Sequence, residues 1–261
     1  MLAMIRKPSV VGIVQARMGS TRLPGKVLIE IAGRPMLWHV VNRVGQAKML
    51  NTVVVASSDD SSDDAVVAFC RQERIPCFRG NEDDVLDRYY QAAKWMNADV
   101  IVRITADCPL IDPDIVDEVV RVYMNGNNDY VSNANPPTYP DGLDTEVFSF
   151  QALELACREA KWLSEREHVT PYIRKHPELF RTGNVAYSED LSHMRWTVDE
   201  PQDLEFVRAV YSSLGSASFR LADVLNLLRK HSELMEMNAG IGRNEGFQKS
   251  VRMDGLIVPE Q

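Results

Sequence analysis

The chain has 261 residues, of which 45% are hydrophobic and 25% are charged, and this balance excludes disordered, collagenous and coiled-coil proteins. No apolar run approaches the ~20 residues that a membrane-spanning helix needs. The formal net charge of −8 argues against broad binding to nucleic acids or anionic membranes, because both of these partners attract basic surfaces.

In the first half of the chain, short apolar runs alternate with amphipathic segments. The runs predict strands at residues 9–15, 52–56, 75–78 and 99–104, three of them apolar enough to be buried on both faces. The amphipathic segments predict helices at residues 36–47, 85–95 and 113–124, and a helix that follows the polar cluster 57–64 and ends near residue 73. This alternation predicts an α/β fold, a mostly parallel sheet with helices on both faces.

The pattern is looser after residue 129. It predicts strands at residues 130–132, 146–150 and 195–198, and helices at residues 152–158, 167–174, 201–214 and 221–230. We expect Pro171 to lie at a boundary or kink within the predicted helix 167–174. We also expect a main domain over residues 1–217 and a C-terminal helical extension over residues 218–261, with a polar tail from residue 238.

The N-terminus and the cysteines bear on the cellular compartment. Residues 1–8 contain two basic residues but no cleavable apolar segment, so we expect a cytoplasmic protein without a secretory signal. The four cysteines show neither the C-x-x-C spacing of zinc sites nor nearby histidine partners. We therefore expect neither a zinc site nor a disulfide framework.

A loop rich in glycine and basic residues follows the first predicted strand. Residues 15–26 read QARMGSTRLPGK, which places Arg17, Arg22 and Lys26 among two glycines and two hydroxyl side chains. Glycines let backbone N–H groups approach an anion closely, and the three cations can neutralise charge spread over several phosphoryl oxygens. The loop therefore predicts a triphosphate site, because ligands of parallel sheets bind beyond the carboxyl ends of the strands. The alternative is a solvated surface loop.

Two carboxylates are expected to face the same crevice. Asp107 follows the buried strand 99–104, and Asp199 follows the predicted strand 195–198. One or two carboxylates together with substrate phosphates and waters are typical ligands of Mg²⁺, so the pair predicts a magnesium site. The alternative for Asp199 is a helix cap, since it closely precedes Pro201 at a helix start.

Longer motifs carry a family resemblance. The run VQARMGSTRLPGKVL at residues 14–28, followed by GRPML at 33–37, resembles the signature of the sugar-acid cytidylyltransferases, which include the enzymes that make CMP-Kdo and CMP-sialic acid. Within that family the chain is most similar to the branch called spore coat polysaccharide biosynthesis protein F. The motifs of that branch are DCPLID at 107–112, DGLDTEVF at 141–148, EHVTPYI at 167–173, WTVDEPQD at 196–203 and RNEGF at 243–247.

The resemblance implies a nucleotide-diphospho-sugar transferase fold, which is Rossmann-like, and a homodimer with residues 130–180 as the acceptor and dimer region. It also implies the Mg²⁺-dependent transfer of CMP from CTP to a sugar acid or a related polyol or sugar acceptor, with release of pyrophosphate, for surface polysaccharide biosynthesis. The catalytic residues would be Arg17, Arg22, Lys26 and Asp107, and the metal ligands Asp107 and Asp199. The nucleotide would contact Gln15, Ala16, Arg17, Gly19, Ser20, Lys26, Ser58, Asp59 and Asp107.

We expect base recognition at the ends of the first two predicted strands. The residues at the end of the second of these strands also have an alternative role. Gln15, Ala16, Ser58 and Asp59 border the expected crevice and could read a pyrimidine edge. The polar run 57–64 has a purely structural alternative, which is to cap the following helix.

Acceptor-binding residues are expected in the second half of the chain. The candidates that the sequence groups there are Asp144, Glu146, Glu167, His168 and Tyr172, with Asp141 nearby. This stretch departs from sugar-acid enzymes, because its acidic groups suit hydroxyls, an ammonium group or another metal better than a carboxylate. His168 has the alternative of being a packed histidine without a direct role.

Two other functions fit the same motifs. A glycosyltransferase that consumes a nucleotide sugar could use the same kind of fold, but it would release no pyrophosphate. A non-catalytic nucleotide-binding subunit could retain the phosphate loop. The triphosphate-sized cluster of cations and the presence of both Asp107 and Asp199 favour the nucleotidyltransferase.

Overall fold

The computed structural model describes residues 6–215, 218–243 and 245–254. Its strands are, in chain order, β1 (Val10–Gln15), β2 (Glu30–Ile31), β3 (Arg34–Pro35), β4 (Thr52–Ser58), β5 (Cys77–Gly80), β6 (Val100–Thr105), β7 (Tyr130–Ser132), β8 (Glu146–Ser149) and β9 (Thr182–Asn184). Its helices are α1 (Met36–Val44), α2 (Asp64–Glu73), α3 (Val85–Trp95), α4 (Pro113–Asn125), α5 (Phe150–Glu159), α6 (Leu163–His168), α7 (Pro171–Lys175), α8 (Pro201–Leu214), α9 (Leu221–Lys230), α10 (Glu233–Glu236) and α11 (Glu245–Arg252). None of the helices within these ranges combines the length and the apolar character of a membrane span.

Seven strands form the central sheet in the order β5-β4-β1-β6-β8-β7-β9. β1 pairs in parallel with β4 and β6, β4 pairs in parallel with β5, and β8 runs antiparallel to β6. The strand order reverses beside β1, because the chain adds β4 and β5 on one side before it crosses to β6 on the other. Such a reversal opens a crevice at the carboxyl ends of the two strands.

Helices cover both faces of the sheet, which explains the apolar runs of its central strands. Successive side chains of a strand point to opposite faces, and Ile13 and Val14 accordingly belong to two different hydrophobic clusters. The Val14 cluster includes buried residues of α1, α4 and α8, whereas the Ile13 cluster includes those of α3 and α5. The predicted fold class, a mostly parallel sheet between two layers of helices, is confirmed.

The loop before β8 packs against the segment before α8, and a glycine makes this contact possible. Gly142 has a φ of +107°, and a Cβ at this position would lie 2.6 Å from the carbonyl carbon of Trp196 and 2.6 Å from the amide nitrogen of Thr197. A residue with a side chain cannot fit there without moving the backbone. The Trp196 amide donates to the Asp141 carbonyl oxygen at 2.6 Å, which fastens the two loops together.

The predicted strand at residues 195–198 is wrong. Arg195 forms a single bridge with Asp141, and the Val198 amide donates to the carbonyl oxygen of Asp107 at 2.8 Å. The segment therefore fastens loops at the edge of the sheet instead of extending along a strand. A run of four residues has the same apolar pattern in a strand and in a loop of this kind, because it is too short to show a distinguishing period.

The later helices refine the predictions for the second half of the chain. The predicted helix 167–174 is interrupted between α6 and α7 by Val169, whose φ is +71°, and Pro171 is the first residue of α7, so the predicted boundary at Pro171 is confirmed. The predicted polar tail contains the helix α11. Residues 1–5 and 255–261 lie outside the described residues, as does the predicted domain boundary at residue 217, which stays a prediction.

Candidate active site

An open cleft of about 760 Å³ lies beyond the carboxyl ends of β1 and β6. The loop after β1 lines one side of the cleft, and residues of α6, α7 and α11 line the other. The cleft thus occupies the reversal point of the strand order, where the alternation of strands and helices predicts a ligand site.

The loop after β1 is folded by its own backbone and by one carboxylate. The Met18 amide donates to Asp63 Oδ1 at 2.7 Å, and the Met18 carbonyl oxygen accepts from the amides of Ser20 and Gly25. Gly25 has a φ of +68° and begins the 3-10 turn that carries Lys26. Five predicted residues of this loop line the cleft, namely Arg17, Gly19, Ser20, Arg22 and Lys26.

Lys26 lies between the two predicted carboxylates. Its Nζ is 2.9 Å from Asp107 Oδ2 and 2.7 Å from Asp199 Oδ1, and it also donates to the Val198 carbonyl oxygen at 2.9 Å. Burial opposes the charged ammonium, but the two carboxylates prevail and raise the pKa of Lys26. Burial also opposes the charged Asp107, yet Lys26 lowers the pKa of this carboxyl to about 2. Lys26 and Asp107 are therefore both charged at neutral pH.

Asp199 faces cations and does not cap α8. Its Oδ1 accepts from Lys26 and lies 3.1 Å from Arg22 Nη2, while its Oδ2 accepts from Arg195 Nη2 at 3.0 Å. The N-cap of α8 is Glu200, and the side chain of Asp203 accepts the backbone N–H groups of Asp199 and Glu200. The capping alternative for Asp199 is therefore wrong, because neighbouring residues take that role.

Arg17 lines the same cleft at a distance from this cluster. Its side chain is 41% exposed, and Glu82 Oε1 lies 3.9 Å from its Nη1. Arg88, a buried arginine of α3 that the sequence did not single out, also lines the cleft there, and its Nε has no hydrogen-bond partner. The side of the cleft formed by the loop after β1 is thus basic over a longer stretch than the loop alone.

The carboxylate pair fits the donor set of a magnesium ion. An oxygen of Asp107 and an oxygen of Asp199 both lie within 3 Å of one nitrogen, so one cation can contact both side chains. Mg²⁺ commonly takes one or two carboxylates and completes its coordination with phosphate oxygens and waters. Within residues 6–215, 218–243 and 245–254, no group of three or more histidine, cysteine or acidic side chains is arranged around a metal position.

On the opposite side of the cleft, Glu146 is fully engaged by the protein. Its Oε1 accepts from the hydroxyls of Tyr130 and Thr170 at 2.5 and 2.6 Å, and its Oε2 pairs with Arg103 Nη1. Burial opposes the charged carboxylate, but Arg103 and Arg174 lower the pKa of Glu146. Both oxygens of Glu146 therefore have protein partners, and the side chain holds Arg103 in place.

Asp144, Glu167 and His168 also have protein partners. Arg243 pairs with Asp144, and the Ser250 hydroxyl donates to Glu167 Oε2 at 2.6 Å. His168 Nε2 lies 3.0 Å from Ser250 Oγ. Burial lowers the pKa of His168 to about 4, so the imidazole is neutral at pH 7.

Comparison with known proteins identifies the family. A family model described as Cytidylyltransferase matches residues 11–231, which is most of the chain. The chain belongs to the cytidylyltransferase family. This cytidylyltransferase is 34% identical over 229 residues to spore coat polysaccharide biosynthesis protein SpsF of Bacillus subtilis, a match that covers 85% of this chain and 94% of that protein.

Two further matches refine the relationship. A solved cytidylyltransferase from Leptospira borgpetersenii superposes with a TM-score of 0.85 and 32% identity, and the match covers 91% of this chain and 100% of that one. The 3-deoxy-manno-octulosonate cytidylyltransferase of Geobacter sulfurreducens is 38% identical over 112 residues, which are 43% of this chain and 44% of that enzyme. The predicted resemblance to sugar-acid cytidylyltransferases and to their SpsF branch is confirmed.

The predicted base-binding residues of this cytidylyltransferase separate into two groups. Gln15 and Ala16 line the cleft, and Gln15 Oε1 is buried without a hydrogen-bond partner. Ser58 and Asp59 are not among the lining residues: the Ser58 amide donates to Asp63 and its carbonyl oxygen accepts from Arg79. The geometry therefore favours the structural alternative for the polar run 57–64, whose hydrogen bonds organise the start of α2.

The predicted acceptor residues separate in the same way. Asp144, Glu146, Glu167 and His168 line the cleft, as does Asp141. Tyr172 does not, and its prediction as an acceptor residue is corrected. Its ring packs against His176 and Phe180, with centroid distances of 4.3 and 6.2 Å, because α7 turns this face toward the hydrophobic cluster under the sheet.

Two arginines that the sequence did not single out make the side of the cleft opposite the loop after β1 basic. Arg103 and Arg174 both line the cleft, and the Nε atom of each is buried without a hydrogen-bond partner. Arg103 left a signal in the sequence, because a single charged residue within the apolar strand β6 needs a buried partner or a ligand. Arg174 left no such signal, since it resembles any basic residue at a helix end.

Proposed function

We propose that the protein transfers CMP from CTP to a sugar acid or a related sugar-like acceptor and releases pyrophosphate, with Mg²⁺ as its cofactor. The observation that carries this proposal is the position of Lys26, held by Asp107 and Asp199 at the carboxyl ends of β1 and β6. The family match supports the reaction class.

In the proposed reaction, an acceptor oxygen attacks the α-phosphorus of CTP. A P–O bond forms to the acceptor, the bond from the α-phosphorus to the bridging oxygen breaks, and the electron pair leaves on pyrophosphate while the acceptor hydroxyl releases its proton to solvent. Lys26, Arg22 and Arg17 stabilise the negative charge that grows on the leaving oxygens. Mg²⁺ held by Asp107 and Asp199 supplies further neutralisation of phosphate charge when it is bound.

Recognition of the base is assigned to Gln15. Its buried Oε1 has no hydrogen-bond partner in the protein, and it lies at the end of β1 on the lining of the cleft. Leaving a buried acceptor unpaired costs about 1–3 kcal/mol, so a ligand donor is favoured there. Cytosine offers an amino group as donor, whereas uracil presents a carbonyl oxygen at the same position.

Recognition of the acceptor is assigned to Arg103 and Arg174. Both guanidinium groups have N–H donors left unused by the protein, and the planar arginine fork suits a carboxylate. This arrangement supports a sugar acid, against the expectation drawn from the acidic residues alone.

The name of the Bacillus subtilis relative supports a role in polysaccharide biosynthesis. Cytoplasmic location and a homodimer through residues 130–180 complete the proposal.

The test measures pyrophosphate release with each of the four nucleoside triphosphates, Mg²⁺ and a panel of sugar acids, sugar phosphates and polyols, and identifies products by mass. We expect release with CTP and a sugar acid, together with a CMP-linked product. Turnover of a nucleotide sugar without pyrophosphate would establish a glycosyltransferase instead. Nucleotide binding by calorimetry without turnover of any acceptor would establish a binding subunit.

A further inference from the structure

We propose that residues 238–243 and 245–254, here called the C-terminal segment, form the acceptor-facing wall of the cleft, and that Phe247 determines which acceptor is used. The acceptor class is a sugar ring that carries an acidic group. The inference rests on the proposed function, because it names the acceptor-selecting residue of the same site.

The C-terminal segment is fastened at both ends of the cleft. At its start, the Asn238 side chain donates to the Arg195 carbonyl oxygen and to Asp203 Oδ1, both at 2.9 Å. At its end, the carboxylate of Asp254 accepts from the amide and the hydroxyl of Ser164, both at 2.8 Å. Ser164 belongs to α6, which lines the cleft, so the segment crosses from one loop of the site to the opposite helix.

Two carboxylates expected to bind acceptor hydroxyls hold the C-terminal segment instead. Asp144 pairs with Arg243, whose Nη1 also donates to the Tyr139 carbonyl oxygen at 3.1 Å, and Glu167 accepts from the Ser250 hydroxyl. An acceptor therefore meets the segment where it would otherwise meet these carboxylates. Selection of the acceptor consequently passes to the side chains that the segment presents.

Phe247 is the aromatic side chain that the C-terminal segment presents to the cleft. Its ring stands edge-to-face with His168 at a centroid distance of 5.1 Å, and the guanidinium carbon of Arg174 lies 5.6 Å from the ring centroid. Leu163 and Met253 add apolar surface to the same lining. An apolar face beside an arginine with an unused donor is complementary to a sugar ring, whose C–H groups pack on the aromatic ring while its acid group pairs with Arg174.

The C-terminal segment lies beyond the residues that the family model matches, although it contains the RNEGF motif at 243–247. The family match ends at residue 231, and the match to the 3-deoxy-manno-octulosonate enzyme covers 43% of the chain. Nucleotide chemistry needs the matched core, where Lys26 and its carboxylates lie.

The test compares Phe247→Ala and Phe247→Leu with Gln248→Ala, an exposed neighbour in α11 that does not line the cleft. The probe is the panel acid that the wild type uses best. For Phe247→Ala we expect the acceptor KM to rise about tenfold, the scale of one lost aromatic contact, with a smaller rise for Phe247→Leu. The KM for CTP stays within about twofold in both variants, as expected for a separate acceptor wall. The control variant behaves as wild type.

The outcomes separate this inference from the proposed function. The first case is that the wild type turns over an acid. The inference then fails, and the proposed function stands, if Phe247→Ala keeps the same acceptor KM, lowers it, or shifts the acceptor and CTP KM values equally. If the wild type turns over no acceptor, the function fails, and calorimetry with 3-deoxy-manno-octulosonate and glucuronate in the presence of CMP decides the inference. Weaker binding by Phe247→Ala than by Gln248→Ala then supports it, and equal or undetectable binding overturns it.

Discussion

Lys26 connects the loop after β1 to both carboxylates, and its contacts show what one side chain contributes to the site. The ammonium donates to Asp107, Asp199 and the Val198 carbonyl oxygen, which together occupy its three N–H donors. Arriving phosphate oxygens must compete for these donors. The cluster is thus already charged and positioned before the nucleotide binds, which is the arrangement that electrostatic catalysis requires.

Replacing Lys26 tests its proposed role. For Lys26→Ala we expect kcat to fall by about 10²–10³, the scale of losing one positioned donor to a developing charge. Pyrophosphate release with CTP measures this loss, and thermal unfolding checks that the fold remains. Lys48→Ala, at an exposed lysine outside the cleft, is the matched control. Equal rates for the two variants would contradict the role of Lys26.

The lowered pKa of Asp107 predicts how the stability of the protein depends on pH. Its pKa is about 2 in the folded protein, below the ordinary value of 3.8, so its contribution to the free energy of unfolding is complete above about pH 4 and is lost as the pH falls toward 2. The shift corresponds to about 2 kcal/mol. Urea unfolding between pH 5 and pH 2.5 should therefore show a shallower acid loss for Asp107→Asn than for the wild type. If the free energy of unfolding fell equally with decreasing pH in the two proteins, this assignment would be contradicted.

At the scale of elements, strands and helices with a clear period were predicted well, whereas loop-to-loop contacts were not. The helices Val85–Trp95, Pro201–Leu214 and Leu221–Lys230 agree with the predicted bounds at both ends. Their apolar faces and end signals lie within a few turns of sequence. The segment 195–198 misled the prediction because its partners, Asp107 and Asp141, are remote in sequence.

The close contact at Gly142 predicts how much the stability depends on tight packing between the loop before β8 and the segment before α8. For Gly142→Ala we expect the free energy of unfolding to fall by more than about 2 kcal/mol, because an unfavourable φ adds to a clash with the backbone at Trp196. Gly215→Ala is the matched control, since Gly215 also has a positive φ but nothing within 4 Å of its Cβ position. Its expected cost is about 1–2 kcal/mol. Denaturant unfolding compares the two, and an equal cost would rule out the clash.

At the scale of the whole molecule, the cleft joins parts of the chain that are far apart in sequence. Lys26 lies 81 residues from Asp107 and 173 residues from Asp199. A ligand that contacts all three holds β1, β6 and the start of α8 together. Binding at the cleft should therefore be detectable as a change in global stability.

This arrangement predicts that CTP and Mg²⁺ bind in a coupled manner. A divalent cation must displace the Lys26 ammonium from Asp107 and Asp199, and a triphosphate offers that ammonium new partners, so each ligand favours the other. We expect Mg²⁺ alone to change the melting temperature little. CTP with Mg²⁺ should raise it by more than the sum of the separate shifts, corresponding to about 2.7 kcal/mol at a hundredfold excess over Kd.

Thermal unfolding under the four ligand conditions measures this coupling, with Lys26→Met as the comparison. In that variant the carboxylates have lost the competing ammonium, so Mg²⁺ alone should produce a shift. Additive shifts in the wild type would contradict the coupling.

Sequence alone was enough to predict the α/β class, the buried strands, the loop with Arg17, Arg22 and Lys26 that lines the cleft, and the pair Asp107 and Asp199. Each of these follows from local composition and period, or from the rule that parallel strands present their carboxyl ends at one edge. The tertiary structure was needed to show that Asp144, Glu146 and Glu167 are engaged by Arg243, Arg103 and Ser250, and that Arg174 and Phe247 lie side by side in the lining of the cleft. A buried polar side chain binds a ligand without competition only when no other part of the chain satisfies it, and the partners of these side chains come from elements that are remote in sequence and meet only in the folded protein.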